Sequence, residues 1–199
     1  MVPKYKDLTL GKIEALVNKI GGVEGAEKFL KGETVVAYPD GKRFWRIWKT
    51  IDLGTFKNVR ELSTALHKER IDTDEIGFVL DEKFPLNITE EKADLVRVSL
   101  EDLGLDGHTT WREFIERAEK LGLKACRPEV GPQLSLQYDM PEGEVLIIGM
   151  YAYTDLSDKP LNVFDLYTVE DKKCLSFFDP LTDMEMYDNA SFVFELPKK

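Results

Sequence analysis

Few side chains in this chain are equipped for nucleophilic or metal chemistry: Cys126, Cys174, His67 and His108 are its only cysteines and histidines. A thiol acts as a nucleophile when a base lies within hydrogen-bond reach. Cys126 and His108, with Glu129 in the same cleft, would make a hydrolase-type site if the fold brought them together. The plainer reading is a small buried thiol after a helix and a loop histidine before it, and no residue is assigned a catalytic role. Zinc sites draw three or four His and Cys ligands at paired spacings, and these four are scattered. The HExxH, GxSxG and GxxxxGK[ST] patterns are absent, so the chemistries needing those turns are not indicated.

Two further patterns look like ligand sites and read better as structure. Gly21-Gly22-Val23-Glu24-Gly25 resembles a phosphate loop, but it joins two helices instead of leaving a strand, which makes it a helix cap. Asp155, Asp158, Asp179 and Asp183 could offer oxygens to calcium. In an EF-hand register starting at Asp179, Met184 stands where glycine is required, so solvated turn carboxylates are expected. Neither a metal nor a cofactor is expected.

Charge is the informative asymmetry. The 199 residues carry a net charge of −10, which opposes uniform coating of nucleic acid or an anionic membrane. Residues 1–41 hold six Lys and six acidic residues and are neutral. Residues 42–70 sum to +5 and residues 71–199 to −15. The basic segment also holds Phe44, Trp45, Trp48 and Phe56, so cations and aromatic rings interleave as they do on phosphate-tracking, base-stacking surfaces. Arg43, Trp45, Arg46, Trp48 and Lys49 are the candidate binding residues. The partner they suggest is a protein or small ligand held where the basic segment meets the acidic half. A nucleic-acid-binding module using 42–70 is the alternative, opposed by the overall acidity.

The elements that must position these residues follow from periodicity. Ile13, Leu16, Val17 and Ile20 form one apolar helix stripe after Thr9 as N-cap, and Ala26, Phe29 and Leu30 form a second. Segments 34–38 and 43–48 flank Pro39-Asp40-Gly41-Lys42 as a β-hairpin, with its second strand running to about Ile51. Asn58 with Glu61 opens a helix over Val59, Leu62 and Leu66, and Ile76, Val79 and Leu80 repeat that spacing. Residues 94–100 read as a strand. Thr110 and Glu113 form a capping box for a helix that buries Trp111, Phe114, Ile115 and Ala118 and ends at Gly122. Short strands are expected at 133–138, 145–153, 161–169, 174–178 and 191–196. The class is α+β: N-terminal helical pairs around a β-hairpin (1–87), then a helix packed on an antiparallel β-meander (88–199).

No apolar core of 7–15 residues follows the basic N-terminus, the longest apolar run, Val145 to Tyr153, is too short to span a bilayer, and the cysteines lack CxxC spacing. A cytoplasmic location in a reducing compartment is therefore expected. Three stretches also occur together as a set: Ile13 to Gly22, Trp48 to Thr55, and Leu123 to Tyr138 centred on Cys126-Arg127-Pro128-Glu129-Val130-Gly131-Pro132-Gln133-Leu134. With these motifs in this order the chain resembles a group of short uncharacterised bacterial proteins. The resemblance implies a bacterial intracellular protein and no activity. The expected role is binding or interaction without catalysis.

Overall fold

A computed structural model describes residues 9–19, 22–31, 45–73, 76, 80, 83–87, 89–105, 109–151, 163–178 and 190–198. Arg43, His108, the four loop aspartates and the turn of the expected 34–48 hairpin lie outside them. Along the chain run α1 (Leu10–Lys19), α2 (Gly22–Leu30), β1 (Lys49–Leu53), α3 (Val59–Lys68), β2 (Glu91–Val98) and α4 (Leu100–Leu103). Then come α5 (Trp111–Lys120), α6 (Val130–Gln137), β3 (Val145–Ile148), β4 (Val163–Val169), β5 (Lys172–Phe178) and β6 (Ser191–Glu195). The class is α+β.

Six strands form one sheet in the order β1-β2-β6-β3-β4-β5. All neighbours are antiparallel except β3 and β6, which run parallel with Ile147 opposite Phe192. The sheet is therefore mixed, which corrects the expected antiparallel meander: β6 returns from the chain end to pair between β2 and β3 instead of following β5. β1 precedes the boundary expected near residue 87 and β2 follows it, yet the two pair in register from Lys49–Leu95 to Leu53–Glu91. As a central strand β6 is covered on both faces. Phe192 and Phe194 are fully buried on one side, and so are Val193 and Glu195 on the other.

Local chemistry sets the helix ends. Thr110 accepts from the Glu113 N–H while the Glu113 carboxylate accepts from the Thr110 N–H and hydroxyl. Those bonds hold the Glu113 carboxyl below its ordinary range. Asn58 Oδ1 accepts from the Glu61 N–H at 3.0 Å, starting α3. The helical spacing at 70–82 does not prolong α3: Arg70 adopts φ +57°, and the Asp72 N–H then joins the Lys173 carbonyl beside β5. α4 is a turn the periodicity missed, capped by a Ser99–Asp102 box and stopped by Gly104 at φ +69°.

α5 lies over β6, where Phe114 meets Phe192 at 4.6 Å and Phe194 at 5.4 Å between ring centroids. The Trp111 indole N–H donates to the Met150 carbonyl at 3.0 Å. α6 packs on β1, β4 and β5. The strand expected at 133–138 is this helix. Gln133, Ser135 and Gln137 alternate with leucines and so imitate a strand, but Pro132 sits in the first turn, where its missing N–H costs nothing. Gln133 and Gln137, four residues apart, then share one helix face. Gly131 is where α6 touches the sheet, since a Cβ there would lie 2.9 Å from the Phe164 ring.

Two other expectations shift. Residues 45–48 precede β1 as irregular chain, although the Trp48 N–H already donates to the Leu95 carbonyl at 2.8 Å. Ile13, Leu16, Phe29 and Leu30, read as burying stripes, are exposed. No helix among the described residues is long and apolar enough to cross a membrane.

Thr110→Ala is expected to lower unfolding free energy by about 1 kcal/mol in urea titration, the usual worth of an N-cap. Gly131→Ala must displace the Phe164 ring and is expected to cost more, about 1–3 kcal/mol.

Candidate functional site

The two most specific motifs of the chain meet in space. Glu129 is 1% exposed, and its carboxylate accepts from the Gly54 N–H at 2.9 Å, the Asn87 N–H at 2.9 Å and the Gln133 side-chain amide at 3.0 Å. Gln133 also donates to the Thr55 hydroxyl at 2.8 Å. The Gln137 amide accepts from the Asp52 N–H and donates to the Asp52 carbonyl, both at 2.8 Å, as a further strand residue would. Gly54 takes φ +70°, and a Cβ there would lie 2.2 Å from the Thr89 carbonyl oxygen. The end of the Trp48–Thr55 stretch, at Asp52, Gly54 and Thr55, is thus hydrogen-bonded to the α6 motif.

Arg127 makes a second junction beside the first. Its backbone N–H and Nε donate to Glu195 Oε1 at 2.9 and 3.1 Å, and Nη2 donates to Oε2 at 3.0 Å. Nη1 pairs with Glu91, which Lys198 also reaches. Hydrogen bonds from Lys198 and then Arg127 hold the Glu91 carboxyl at about 2, against an ordinary 4.5. Burial opposes the Arg127 charge, but Glu195 and Glu91 outweigh it and raise its pKa.

Two of the three groups of the hydrolase-type reading, Cys126 and Glu129, are engaged here, and His108 lies outside the described residues. Glu129 has its oxygens committed to backbone and amide donors. Cys126 is buried, its thiol donates to the Val193 carbonyl at 3.3 Å, and burial raises its pKa well above the ordinary value. The proton stays on sulfur, so the geometry lends Cys126 no nucleophilic character. No group of His, Cys, Asp or Glu among the described residues could hold a metal ion.

A different place is open to solvent. Arg46, Ile47, Trp48, Arg97, Val98, Ser99, Asp102 and Ser191 line an open cleft of about 560 Å³. Its floor is the β2–α4 junction; its wall is the chain entering β1. Trp45 anchors that wall from outside the cleft, its indole N–H donating to the Leu121 carbonyl at 2.9 Å. Trp48 is half-buried and meets the Tyr138 ring edge-on at 4.9 Å, with Lys49 Nζ 5.3 Å from the same ring. The Tyr138 hydroxyl donates to Glu144 Oε2 at 2.9 Å, and Arg97 pairs with the other Glu144 oxygen. Burial and then Glu144 raise the Tyr138 pKa, so that hydroxyl keeps its proton.

Of the candidate binding residues, Arg46 and Trp48 line the cleft, Trp45 and Lys49 do not, and Arg43 lies outside the described residues. The cleft charges are unequal in freedom. Arg97 is neutralised by Glu144, and Asp102 accepts from the Ser99 N–H at 2.8 Å. Arg46 is exposed and has no ion-pair partner among the described residues. Sequence reasoning missed Arg97, Ser99 and Ser191 because they come from strands distant in the chain. Only the Ser99–Asp102 spacing carried a signal, that of a capping box. No protein-family model, curated protein or solved structure matches the chain.

Two outcomes are expected at the junctions. Glu129→Ala leaves the Gly54 and Asn87 amides without their buried acceptor, and by the cost of orphaned buried groups it should destabilise by about 3 kcal/mol or more in chemical denaturation. Glu91 has a folded pKa below its unfolded one, so its stabilisation is complete above 4.5 and is lost as pH falls toward about 2. The stability difference between wild type and Glu91→Gln, followed by denaturant titration at stepped pH, should shrink across that window.

Proposed function

We propose that the protein is a non-catalytic binding protein, and that its ligand is a small molecule with an anionic group and a flat apolar part, held in the Arg46–Trp48 cleft. One observation carries the reading: in a cleft of about 560 Å³ lined by both Arg46 and Trp48, Arg46 is exposed without a protein counter-ion among the described residues. Small-molecule sites run from about 300 to 1,000 Å³, and a guanidinium matches carboxylate or phosphate oxygens two at a time. The serine hydroxyls of Ser99 and Ser191 add polar lining. Cys126 and Cys174 are buried and unbridged, which accords with a reducing, cytoplasmic setting. The hydrogen bonding of Trp48–Thr55 to the Arg127–Gln137 segment gives a physical reason for those motifs to travel together, and supports kinship with the short bacterial proteins they resemble.

The test is a titration of aromatic carboxylates, mononucleotides and a single-stranded oligonucleotide, read by indole fluorescence and calorimetry. At least one small aromatic anion should bind, and Arg46→Glu should weaken it at least tenfold, as losing a charged hydrogen bond does at about 1.5–3 kcal/mol. Binding that is unchanged in Arg46→Glu, or absent from the wild type, sinks the reading. Oligonucleotide binding alone, falling steeply with salt, would favour the nucleic-acid module instead.

A further inference from the structure

We propose that the anion taken by the Arg46–Trp48 cleft is a phosphate monoester, its oxygens shared between the guanidiniums of Arg46 and Arg97. The proposal rests on the anion-binding reading of that cleft and narrows its ligand class. Arg97 lines the cleft while its Nη1 pairs with Glu144, whose other oxygen accepts from the Tyr138 hydroxyl at 2.9 Å. The Glu144 side chain is 11% exposed and is not part of the cleft lining, whereas the Arg97 side chain is 37% exposed. The pair therefore fixes the Arg97 guanidinium without covering it. Its Nε and Nη2 have no acceptor among the described residues, so those donors are left for a ligand.

Strand pairing brings these donors to one end of the sheet. β1 runs antiparallel to β2, and the Trp48 N–H donates to the Leu95 carbonyl, so residues before Trp48 pass residues after Leu95. Arg46 and Arg97 accordingly line the same cleft. Val98 pairs with Phe192, which places Ser99 and Ser191 one step further out. The Ser99 hydroxyl donates to Asp102 at 3.0 Å, so its proton and the Asp102 charge are committed to each other in the helix cap. Two guanidiniums and the Ser191 hydroxyl are then the donors that an anion meets. Oxygen count selects the anion. The two oxygens of a carboxylate are saturated by one guanidinium fork, which leaves the second arginine unused. A phosphate monoester has three terminal oxygens and a charge of about −1.5 to −2 at pH 7, so it can engage both forks and balance both cations.

Phenyl phosphate and benzoate share a ring and differ in the anion, so calorimetric titration of both into the full chain tests the choice. At pH 8, above the second phosphate pKa of about 6, phenyl phosphate should bind at least about tenfold more tightly, the worth of an added charged hydrogen bond. Inorganic phosphate should displace it. Arg97→Gln combined with Glu144→Gln removes both charges of the pair, leaving neither partner alone. That variant should lose the phosphate preference and keep its benzoate affinity, with the thermal transition showing that it is folded. If it does not fold, Arg97→Lys, which keeps the charge opposite Glu144 but lacks the fork, should still reduce the preference. Benzoate binding as tightly as phenyl phosphate overturns the proposal and leaves the anion reading standing. A folded variant that retains the preference does the same. Absence of phenyl phosphate binding overturns the proposal too, and takes the anion reading with it if no other aromatic anion binds.

Discussion

A carboxylate in a closed interior must be met by donors, and Glu129 is met by donors from three parts of the chain. Two are backbone amides, at Gly54 and Asn87, and the third is the Gln133 side chain. Taking such a charge out of water costs several kcal/mol, roughly, unless hydrogen bonds replace the lost solvation. Meeting that condition fixes the exit of β1, the approach to β2 and the first turn of α6 together. The left-handed backbone at Gly54 and the proline in the first turn of α6 follow from the same geometry. Arg127 does the corresponding work between β2 and β6, with Glu195 buried beneath it and Glu91 at the rim.

This constraint redistributes where function can reside. Of the residues proposed for chemistry, Cys126 and Glu129 are buried and hydrogen-bonded, and the partly buried Arg127 between them is paired with Glu91 and Glu195. Among the described residues, an open cleft lies where Arg46–Trp48 meets Arg97–Asp102. Its surroundings form a connected series: Arg97 to Glu144, Glu144 to Tyr138, and Tyr138 against Trp48 and Lys49. That series neutralises one cation and packs against one indole, while Arg46 has no ion-pair partner among the described residues.

Much of the secondary structure was legible because its determinants are local. The Asn58–Glu61 and Thr110–Glu113 caps start helices where the spacing placed them, and the strands at β4, β5 and β6 fall on β-branched and aromatic runs. α6 was not legible as a helix. Its glutamines alternate with leucines, and only tertiary partners at Asp52 and Thr55 make i, i+4 the relevant spacing. The parallel β3–β6 pairing depends on a return of the chain end that no local pattern encodes. At the cleft, the +5 segment pointed to Arg46 and Trp48, while Arg97 and Ser191 arrive through strand pairing. The charge of −10, read as an average, concealed both the basic segment and the neutral hairpin.

The most direct measurement of the Glu129 junction is native-state hydrogen exchange at the Gly54 and Asn87 amides. Both N–H groups point at a carboxylate sealed inside the fold, so both should exchange only through global unfolding, at the free energy of the slowest β6 amides. Exchange of either through a local opening, with little protection and little dependence on denaturant, would contradict a Glu129 junction that holds β1, β2 and α6 together.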